Sequence, residues 1–415
     1  MTRYKVLDLF AGCGGLSYGL EMAGFEVVAA NDLFAAAAET HKANHPKSRF
    51  FLGSITDPAI QDAIVEHLQE TGCDVIAGGP PCQAYSLAGK RDVDDGRGRL
   101  FEQYVELVRR VRPRVFIMEN VKGLLSMSHD RAGLSNLDAS RLNDIKVLEV
   151  EQRELRLLRK QAANTSRFSF GPSEVERLEE VSAKLKQLRL DTGSLRERVV
   201  DQITRSFASI GYSVEYRLLN AADFGVPQRR ERVVFIGTRD AAPIHFPEPT
   251  HAAPTGGALG LFDSGKLPWV TTRESIGNLE MHGEDVAWSH EFTRHSPEFV
   301  KRLEATPVGA SVYGGFADAW FRQPPGEPAR TVKENHGGVF VHYAQPRTMT
   351  PRELARLQSF PDSFRFHGSK SKILVQIGNA VPPLLGKAVG QAVLEMLNGA
   401  SAARKPAKSK SAAAA

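Results

Sequence analysis

Short apolar runs alternate with longer amphipathic stretches along the first 120 residues of the chain. The runs are typical of buried strands, and the stretches between them repeat apolar residues at helical spacing. The predicted strands are Lys5–Phe10, Glu26–Asn31, Arg49–Leu52, Asp74–Ala77 and Arg114–Glu119. The predicted helices are Gly15–Ala23, Ala35–Ala43, Ala59–Glu70 and Phe101–Val111. This alternation predicts an α/β fold with a doubly wound, mostly parallel sheet, in which ligands bind at the carboxyl ends of the strands.

Residues 140–200 break this alternation. From Leu178 to Val199 apolar residues recur at a spacing of three and four, with Glu, Lys and Arg between them. Residues 145–162 are similarly helical, and residues 164–172 supply a turn. The pattern predicts an antiparallel helical hairpin that is inserted into the sheet domain. We interpret it as a structural or partner-binding protrusion.

The pattern changes again in the last part of the chain. Residues 240–332 are rich in Gly and Pro, hold all three tryptophans and show little periodicity, which predicts a smaller, irregular domain. The other predicted elements are strands at Ser213–Leu219 and Arg232–Gly237 and helices at Pro351–Ser359 and Leu384–Leu397, with Asn398-Gly399 as a candidate cap. The predicted domains are residues 1–239 with the insert at about 140–200, residues 240–332, residues 333–400 as a return to the sheet domain, and residues 401–415 as a disordered basic tail.

Composition and charge add few constraints. Apolar residues make up 42% of the chain and charged residues 24%, which is ordinary for a globular protein. Most of the net charge of +5 lies after residue 400, where four basic residues and no acid occur, so the charge does not identify a partner. We expect no membrane segment, because no apolar run approaches ~18 residues. We expect no signal peptide, because the N-terminus lacks an apolar core and a small-residue cleavage site. Three cysteines without metal-ligand spacing predict neither a disulfide framework nor a metal site, and favour a reducing cytoplasm.

A glycine-rich loop, DLFAGCGG, runs from Asp8 to Gly15 and joins the first predicted strand to the first helix. Its glycines let the backbone approach a ligand closely, and the helix N-terminus offers unpaired N–H groups. Asp32 ends the next strand, where a carboxylate can accept both hydroxyls of a ribose. The loop lacks the spacing of a dinucleotide site or a P-loop, so a nucleoside without pyrophosphate fits better. S-adenosylmethionine is such a ligand, and a simple tight turn is the alternative.

Three further groups end or precede strands at the same edge of the predicted sheet. Cys82 follows the rigid turn GGPP, where an exposed thiol is a nucleophile if its pKa is lowered; a small buried apolar residue is the alternative. Glu119 ends the fifth strand, where a carboxylic acid can donate a hydrogen bond to a ring nitrogen. Arg230 and Arg232 share one face of a strand with Gln228, and could orient Glu119 or bind phosphate.

Together these residues resemble the DNA cytosine-5 methyltransferases of bacterial restriction-modification systems. The resemblance covers most of the chain in the family's order, so chance similarity is a negligible explanation. It is carried by DLFAGCGGLSYGLEMAGF at 8–25, GGPPCQAYSLAGKR at 78–91, ENVKG at 119–123, QRRERVVFIG at 228–237, TPRELARLQSFPDSF at 350–364 and QIGNAVPP at 376–383.

The resemblance implies a role for each matched position. Cys82 corresponds to the nucleophile that attacks cytosine C6, Glu119 to the acid that holds N3, and Arg230 and Arg232 to supporting arginines, with Arg232 closer to the chemistry. The positions implied for S-adenosylmethionine are Phe10, Gly12, Gly14, Gly15, Leu16, Asp32, Leu33, Ser54, Ile55, Pro81, Leu100, Asn379 and Val381. Many family members have an acid at the position of Ser54 and an aromatic residue at that of Leu33. We expect these two differences to change the affinity for the cofactor more than the activity.

The implied function is methylation of C5 of a specific cytosine in double-stranded DNA, after the base has been flipped out of the stack. Residues 240–332 correspond to the target-recognition domain, and the fold implied is the Rossmann-like one of S-adenosylmethionine-dependent methyltransferases. The helical insert exceeds the compact family pattern, and direct contact with DNA is the alternative to a protrusion. We expect a cytoplasmic, nucleoid-associated protein that acts as a monomer on DNA, without a metal, beside a cognate restriction endonuclease.

Two other functions remain open on the sequence. The first is an RNA (transfer RNA) cytosine-5 methyltransferase. The variable segment of roughly ninety residues favours duplex DNA over this alternative, because it has room to read a site. The second is a catalytically silent DNA-binding homologue, against which the presence of Cys82, Glu119 and both arginines argues. A redox-active thiol protein is disfavoured because Cys82 has no neighbouring resolving cysteine.

Overall fold

The computed structural model describes residues 3–81, 100–130, 135–164, 169–192, 195–240, 243–254, 265–313, 320–334 and 340–403. Within these residues the chain divides into two compact units. The first unit contains the described residues up to 122 and those from 206 onward, and the second contains the described residues from 123 to 205.

The secondary structure of the described residues is as follows. In chain order the strands are β1 (Lys5–Leu9), β2 (Glu26–Asp32), β3 (Arg49–Leu52), β4 (Val75–Gly78), β5 (Val115–Val121), β6 (Ser128–Asp130), β7 (Arg196–Arg198), β8 (Ser213–Asn220), β9 (Glu231–Thr238), β10 (His251–Ala252) and β11 (Leu267–Pro268). The helices are α1 (Gly15–Ala23), α2 (Ala35–Asn44), α3 (Pro58–Thr71), α4 (Leu100–Val111), α5 (Asn136–Asn164), α6 (Pro172–Asp191), α7 (Val199–Ala208), α8 (Thr272–Ile276), α9 (Pro297–Ala305), α10 (Pro351–Leu357), α11 (Lys370–Asn379) and α12 (Pro383–Ala403). Among these helices, none has the length and apolar character that a membrane span requires.

The first unit is built on one seven-stranded sheet with the strand order β3-β2-β1-β4-β5-β9-β8. Strands β1 to β5 run parallel to one another, whereas β9 is antiparallel to both β5 and β8. The strand order reverses between β1 and β4, and ligands bind outside the carboxyl ends of strands at such a switch point. The predicted α/β fold with a doubly wound, mostly parallel sheet is confirmed.

Alternate residues of each strand point to opposite faces of the sheet, and both faces carry apolar side chains. Helices therefore cover both faces. On one face α1 and α12 pack closely, and a Cβ at Gly19 of α1 would come within 2.4 Å of the Pro383 carbonyl oxygen. Val115 and Ile117 of β5 contribute to the apolar core on this face. Between them Phe116 points the other way and stacks on Phe207 with ring centroids 3.8 Å apart.

Residues 243–334 belong to the first unit and contain little regular structure where they are described. Buried polar groups organise this region and the segment that follows it. The guanidinium of Arg322 donates from Nη1 to the carbonyl oxygen of His342 at 2.8 Å, and Arg347 forms two hydrogen bonds of 2.8 and 2.7 Å with Glu353. A sequence with few apolar repeats can hold its chain in this way, because buried hydrogen bonds and ion pairs join its segments. The boundaries of 240–332 stay a prediction.

The second unit contains the predicted helical hairpin. Leu142, Ile145 and Leu148 of α5 form an apolar cluster with Val181 and Leu185 of α6. Charged side chains flank this cluster, and Arg177 binds Glu151 with an N–O distance of 2.6 Å. The hairpin is therefore held by its own core, as the repeating apolar positions predict.

Several element ends differ from the predictions. Helix α6 ends at Asp191, and the short strand β7 occupies residues that the sequence pattern assigned to a helix as far as Val199. Helix α11 was not predicted. Helix α12 continues to Ala403. The prediction that Asn398-Gly399 caps this helix after Leu397 is therefore wrong. Residues 404–415 lie outside the described residues.

Candidate active site

The glycine loop leaves β1 through backbone conformations that favour glycine. The φ angles of Gly12 and Gly14 are +53° and +94°, and Phe10 also has a positive φ of +57°. Gly14 is the N-cap of α1, and it provides no side-chain cap for the first N–H groups of that helix. The N-terminal end of α1 carries a partial positive charge, which attracts a polar or anionic ligand to this end of the helix.

The loop has no room for side chains where it touches the rest of the unit. A Cβ at Gly15 would lie 2.4 Å from the carbonyl oxygen of Val381, and one at Gly14 would lie 2.5 Å from Nε2 of His45. At Gly12, by contrast, no atom lies within 4 Å of the Cβ position. The loop is therefore packed on its inner side and open at Gly12, as a backbone cradle for a ligand requires. Leu16, at the next position of α1, is buried.

Asp32 lies at the carboxyl end of β2 beside this loop. Its Oδ2 accepts a hydrogen bond from the N–H of Gly12 at 2.9 Å, and its Oδ1 accepts one from the N–H of Phe34 at 2.9 Å. Burial raises the pKa of Asp32 although these two hydrogen bonds oppose the shift. Each oxygen keeps a lone pair for a further donor such as a ribose hydroxyl. The adjacent Leu33 side chain is 69% exposed, so it presents an apolar surface at the same edge.

The other residues predicted for the cofactor lie in several elements of the first unit. Ile55 is buried, and the hydroxyl of Ser54 accepts a hydrogen bond from the N–H of Thr56 at 3.2 Å. Asn379 ends α11 and donates from Nδ2 to a carboxylate oxygen of Glu334 at 2.7 Å. The remaining described positions are Leu100, which begins α4, and Pro81, which is exposed.

A buried polar cluster that was not predicted from the sequence packs against the inner side of the glycine loop. The hydroxyl of Ser17 donates to Oδ2 of Asp8 at 2.5 Å and lies 3.2 Å from Nε2 of His41. The rings of His41 and His45 have centroids 4.4 Å apart, and Nδ1 of His45 lies 2.8 Å from Oε2 of Glu21. Burial raises the pKa of Asp8 to about 7 and lowers that of His41.

Glu119 and Arg232 form an ion pair at the neighbouring part of the edge. Arg232 Nε lies 2.7 Å from Glu119 Oε1, and the two side chains are 11% and 13% exposed. The carboxylate also lies against the end of β4, since a Cβ at Gly79 would be 3.1 Å from Glu119 Oε2. Next to it, Nδ2 of Asn120 donates to the carbonyl oxygen of Pro80 at 2.8 Å. These contacts hold the predicted acid beside the turn that leads into Cys82.

Cys82 itself lies outside the described residues, which omit 82–99. The other two thiols have no features of a nucleophile. Burial raises the pKa of both Cys13 and Cys73 to about 12, so they are protonated at neutral pH. Both therefore behave as small packed side chains rather than as nucleophiles.

The two arginines of the cluster differ in their surroundings. Arg230 is 3% exposed and donates from Nη1 to the carbonyl oxygen of Val332 at 2.8 Å and from Nη2 to that of Gly378 at 3.0 Å. Burial lowers its pKa to about 9, with a smaller contribution in the same direction from Arg232 and an opposing one from Glu119. Arg230 thus binds backbone carbonyls, whereas Arg232 is the arginine that contacts the acid.

The part of the chain that the structure describes contains no group of three or more His, Cys, Asp or Glu side chains arranged to hold a metal ion.

The chain matches one protein-family model over most of its length. The family model for C-5 cytosine-specific DNA methylases matches residues 4–139 and 189–395. The unmatched stretch between them begins within α5 and ends within α6, which are the helices of the hairpin.

Two relatives and one solved structure are similar over nearly the whole chain. Type II methyltransferase M1.HphI of Haemophilus parahaemolyticus is 31% identical over 404 residues, which cover 94% of this chain and 86% of the relative. Type II methyltransferase M.XorII of Xanthomonas oryzae pv. oryzae is 30% identical over 432 residues, with coverages of 96% and 86%.

The solved structure supports the fold alone, because its sequence identity is 21%. It is a crystal structure of a protein described as a prophage-encoded DNA modification methyltransferase of E. coli, and it superposes with a TM-score of 0.63 over 95% of this chain and 99% of that one. The family match and both relatives lead to one conclusion. The chain belongs to the C-5 cytosine-specific DNA methylase family and is a DNA cytosine-5 methyltransferase.

Proposed function

We propose that this enzyme methylates C5 of a specific cytosine in double-stranded DNA by flipping the base and adding Cys82 to C6, in a restriction-modification context. The observation that carries the proposal is the Glu119–Arg232 ion pair, which lies against Gly79 three residues before Cys82. A carboxyl group held there by an arginine has the chemistry needed to bind N3 of a cytosine while a thiolate attacks the same ring.

The reaction needs an activated pyrimidine because C5 of cytosine is a poor nucleophile. The Cys82 thiolate forms a bond to C6 and breaks the C5–C6 double bond, while Glu119 donates a proton to N3 as the ring accepts the electron pair. C5 then has the reactivity of an enamine carbon and takes the methyl group from the sulfonium of the donor, which leaves as S-adenosylhomocysteine, and N3 returns its proton to Glu119. Water takes the proton from C5, and the electron pair of that C–H bond restores the C5–C6 double bond and expels the Cys82 thiolate.

Arg232 positions the acid for this cycle. Its guanidinium holds Oε1 of Glu119, which leaves Oε2 on the side of Gly79 and the turn that follows β4. Asn120 restrains that turn through the Pro80 carbonyl oxygen. Arg230 acts at a greater distance from the base, since its guanidinium donates to two backbone carbonyls.

S-adenosylmethionine, the methyl donor of this family, supplies an electrophilic methyl group when it is bound. The site fits such a nucleoside because α1 has no side-chain cap at its N-cap and the loop is open at Gly12. We assign ribose binding to the Asp32 carboxylate. The other positions assigned to the cofactor are Phe10, Gly14, Gly15, Leu16, Leu33, Ser54, Ile55, Pro81, Leu100, Asn379 and Val381.

Target recognition is assigned to residues 240–332. Loops in an irregular region can enter the grooves of a duplex and read base edges there. We further propose that the enzyme acts as a monomer on DNA in the cytoplasm, at the nucleoid, without a metal, and that a cognate restriction endonuclease recognises the same site.

The substrate is tested with labelled S-adenosylmethionine and equal amounts of duplex DNA and transfer RNA. We expect methyl incorporation into the duplex, and bisulfite sequencing of DNA from expressing cells then gives the methylated site. Incorporation mainly into RNA would contradict the proposed substrate, and incorporation into neither would favour a silent homologue.

The nucleophile is tested with a duplex that contains 5-fluorocytosine, from which the fluorine at C5 cannot leave as a proton does. We expect the wild-type enzyme and the control variant Cys73→Ser to form a stable covalent adduct, and Cys82→Ser to form none. An adduct that persists in Cys82→Ser would assign the nucleophile to another residue.

A further inference from the structure

Two buried glutamines form a continuous chain of hydrogen bonds behind the arginine cluster. Oε1 of Gln228 accepts from the N–H of Val332 at 2.7 Å, and Nε2 of Gln228 donates to Oε1 of Gln358 at 2.7 Å. Nε2 of Gln358 then donates to the carbonyl oxygen of Ile377 at 2.6 Å. Both glutamines are fully buried, with 0% exposure. The chain therefore joins four separate segments of the sequence inside the first unit.

The chain has a fixed direction. The N–H of Val332 can only donate and the carbonyl oxygen of Ile377 can only accept, so each glutamine has one orientation that satisfies both of its neighbours. Reversing either amide would place two donors or two acceptors against each other in a buried site, and an unsatisfied buried polar group costs about 1–3 kcal/mol. Gln228 and Gln358 consequently hold each other in place.

The same segments carry the arginines. Arg230 donates to the carbonyl oxygens of Val332 and Gly378. Val332 is the first residue of the glutamine chain, and Gly378 directly follows Ile377, the last one. Arg232 follows two residues later, within β9, and meets Glu119 at 2.7 Å. A shift of Gln228 would move Arg230 and Arg232 with it, because the three are alternate residues of one short segment of backbone.

We propose that Gln358 is a positioning residue for methyl transfer, which sets the arginine segment 228–232 through Gln228 so that Arg232 holds Glu119 in its working position. Gln358 is fully buried and acts through Gln228 rather than on the base or the cofactor. The inference rests on the proposed function, because it concerns the acid that binds the cytosine. Misplacement of a reacting group by about 1 Å can slow a reaction by about 10²-fold.

The test compares Gln358→Met with Gln345→Met. Gln345 lies in the same unit and also makes two hydrogen bonds, from Nε2 to the carbonyl oxygen of Glu280 at 2.7 Å and from Nε of Arg347 at 2.6 Å. Both substitutions keep the length of the side chain and remove two hydrogen bonds. We expect Gln358→Met to slow single-turnover methyl transfer to duplex DNA at least tenfold, with the Kd for S-adenosylmethionine unchanged within about threefold. Gln345→Met should keep a rate within twofold of wild type.

A double-mutant cycle separates positioning from general destabilisation. If both glutamines act through one chain, Gln228→Met/Gln358→Met should be no slower than the slower single variant, because the second substitution breaks a chain that is already broken. Should Gln358→Met fail to fold, Gln358→Asn keeps a buried amide that is one methylene too short to reach Gln228, and the same loss of rate is expected.

Two results would overturn the inference. One is a Gln358→Met rate equal to that of Gln345→Met, and the other is a double variant whose losses multiply. Either result would leave the proposed function intact as long as the wild-type enzyme forms the covalent adduct with 5-fluorocytosine. Absence of that adduct from the wild-type enzyme would instead contradict the proposed function.

Discussion

The Glu119 carboxylate and the Arg232 guanidinium meet across the antiparallel strands β5 and β9, with Oε1 and Nε 2.7 Å apart. The register pairs Arg232 with Val121, two residues after Glu119, so the two side chains are diagonal neighbours on one face of the sheet. Both are largely buried, and attraction between charges is stronger there than at the surface. The acid is thus fixed by an arginine on the adjacent strand.

Arg232→Ala should slow single-turnover methyl transfer about 10²–10³-fold, because it removes the group that orients the acid and leaves a nearly buried carboxylate without its partner. The measurement is the rate with saturating cofactor and a methylatable duplex. The control is Arg177→Ala, which breaks an exposed ion pair with Glu151 that contributes only about 0–1 kcal/mol. A rate for Arg232→Ala within threefold of the control would show that the ion pair does not serve the reaction.

Asn120→Ala should reduce the rate of adduct formation with 5-fluorocytosine DNA about tenfold. The Asn120 amide restrains the Pro80 carbonyl oxygen at 2.8 Å, and without it the turn before Cys82 loses a buried tether. Cofactor affinity should stay within twofold of wild type, as measured by isothermal titration calorimetry. In the control Asn44→Ala, a half-buried amide loses its hydrogen bonds to the backbone of Thr40 and Arg365, and the rate should not change. Equal adduct rates for both variants would contradict the prediction.

Gly15→Ala should destabilise the fold and weaken cofactor binding at least tenfold. The new methyl group would lie 2.4 Å from the Val381 carbonyl oxygen, so either the glycine loop or the start of α12 must shift. The control is Gly399→Ala within α12, where no atom lies within 4 Å and alanine is the better helix former. Thermal unfolding should show a lower Tm for Gly15→Ala and an equal or higher Tm for Gly399→Ala. An unchanged Tm for Gly15→Ala would mean that the loop is not packed against Val381.

The alternating sheet could be predicted because its strands are apolar runs with clear ends, and Arg49–Leu52 and Gly15–Ala23 have the predicted bounds. Helix α11 was not predicted, because it is only ten residues long and its buried face mixes Ile373 and Ile377 with Gln376 and Gly378. The predicted cap at Asn398-Gly399 is wrong, because α12 continues through these residues to Ala403.

The site shows the same division. From the sequence, the arginines could either orient Glu119 or bind phosphate. The register of β5 and β9 determines that Arg232 is the arginine that contacts the acid. The contacts of Arg230 and Gln358 depend on residues more than a hundred positions away or on the unpredicted α11, so no local pattern encodes them. Local patterns therefore identify the chemistry, and long-range packing decides how each side chain is held.

Asp8→Asn should remove one contribution to the pH dependence of the free energy of unfolding. The pKa of Asp8 is about 7 in the folded protein because of burial, against an ordinary value of 3.8. The folded state therefore binds this proton more tightly than the unfolded chain, and the stabilisation is complete below pH 3.8 and lost as the pH rises to 7. Relative to Asp8→Asn, the wild-type free energy of unfolding should fall by about 2–3 kcal/mol between pH 5 and pH 8. Urea denaturation of both proteins measures this, and a difference that does not vary with pH would contradict the burial of an ionisable Asp8.

Replacement of the helical hairpin with a short Gly-Ser linker should leave cofactor binding intact. The apolar cluster of the hairpin is formed by its own residues, including Ile145 of α5 and Leu185 of α6, and the family model matches the chain on both sides of it without residues 140–188. Removal of residues 136–191 should therefore keep the Kd for S-adenosylmethionine within about twofold of wild type. If the hairpin contacts DNA, the same deletion will raise the KM for the duplex and lower the dependence of binding on salt, since lost phosphate contacts reduce the number of released counterions. A large loss of cofactor affinity would show instead that the hairpin is required to form the sheet domain.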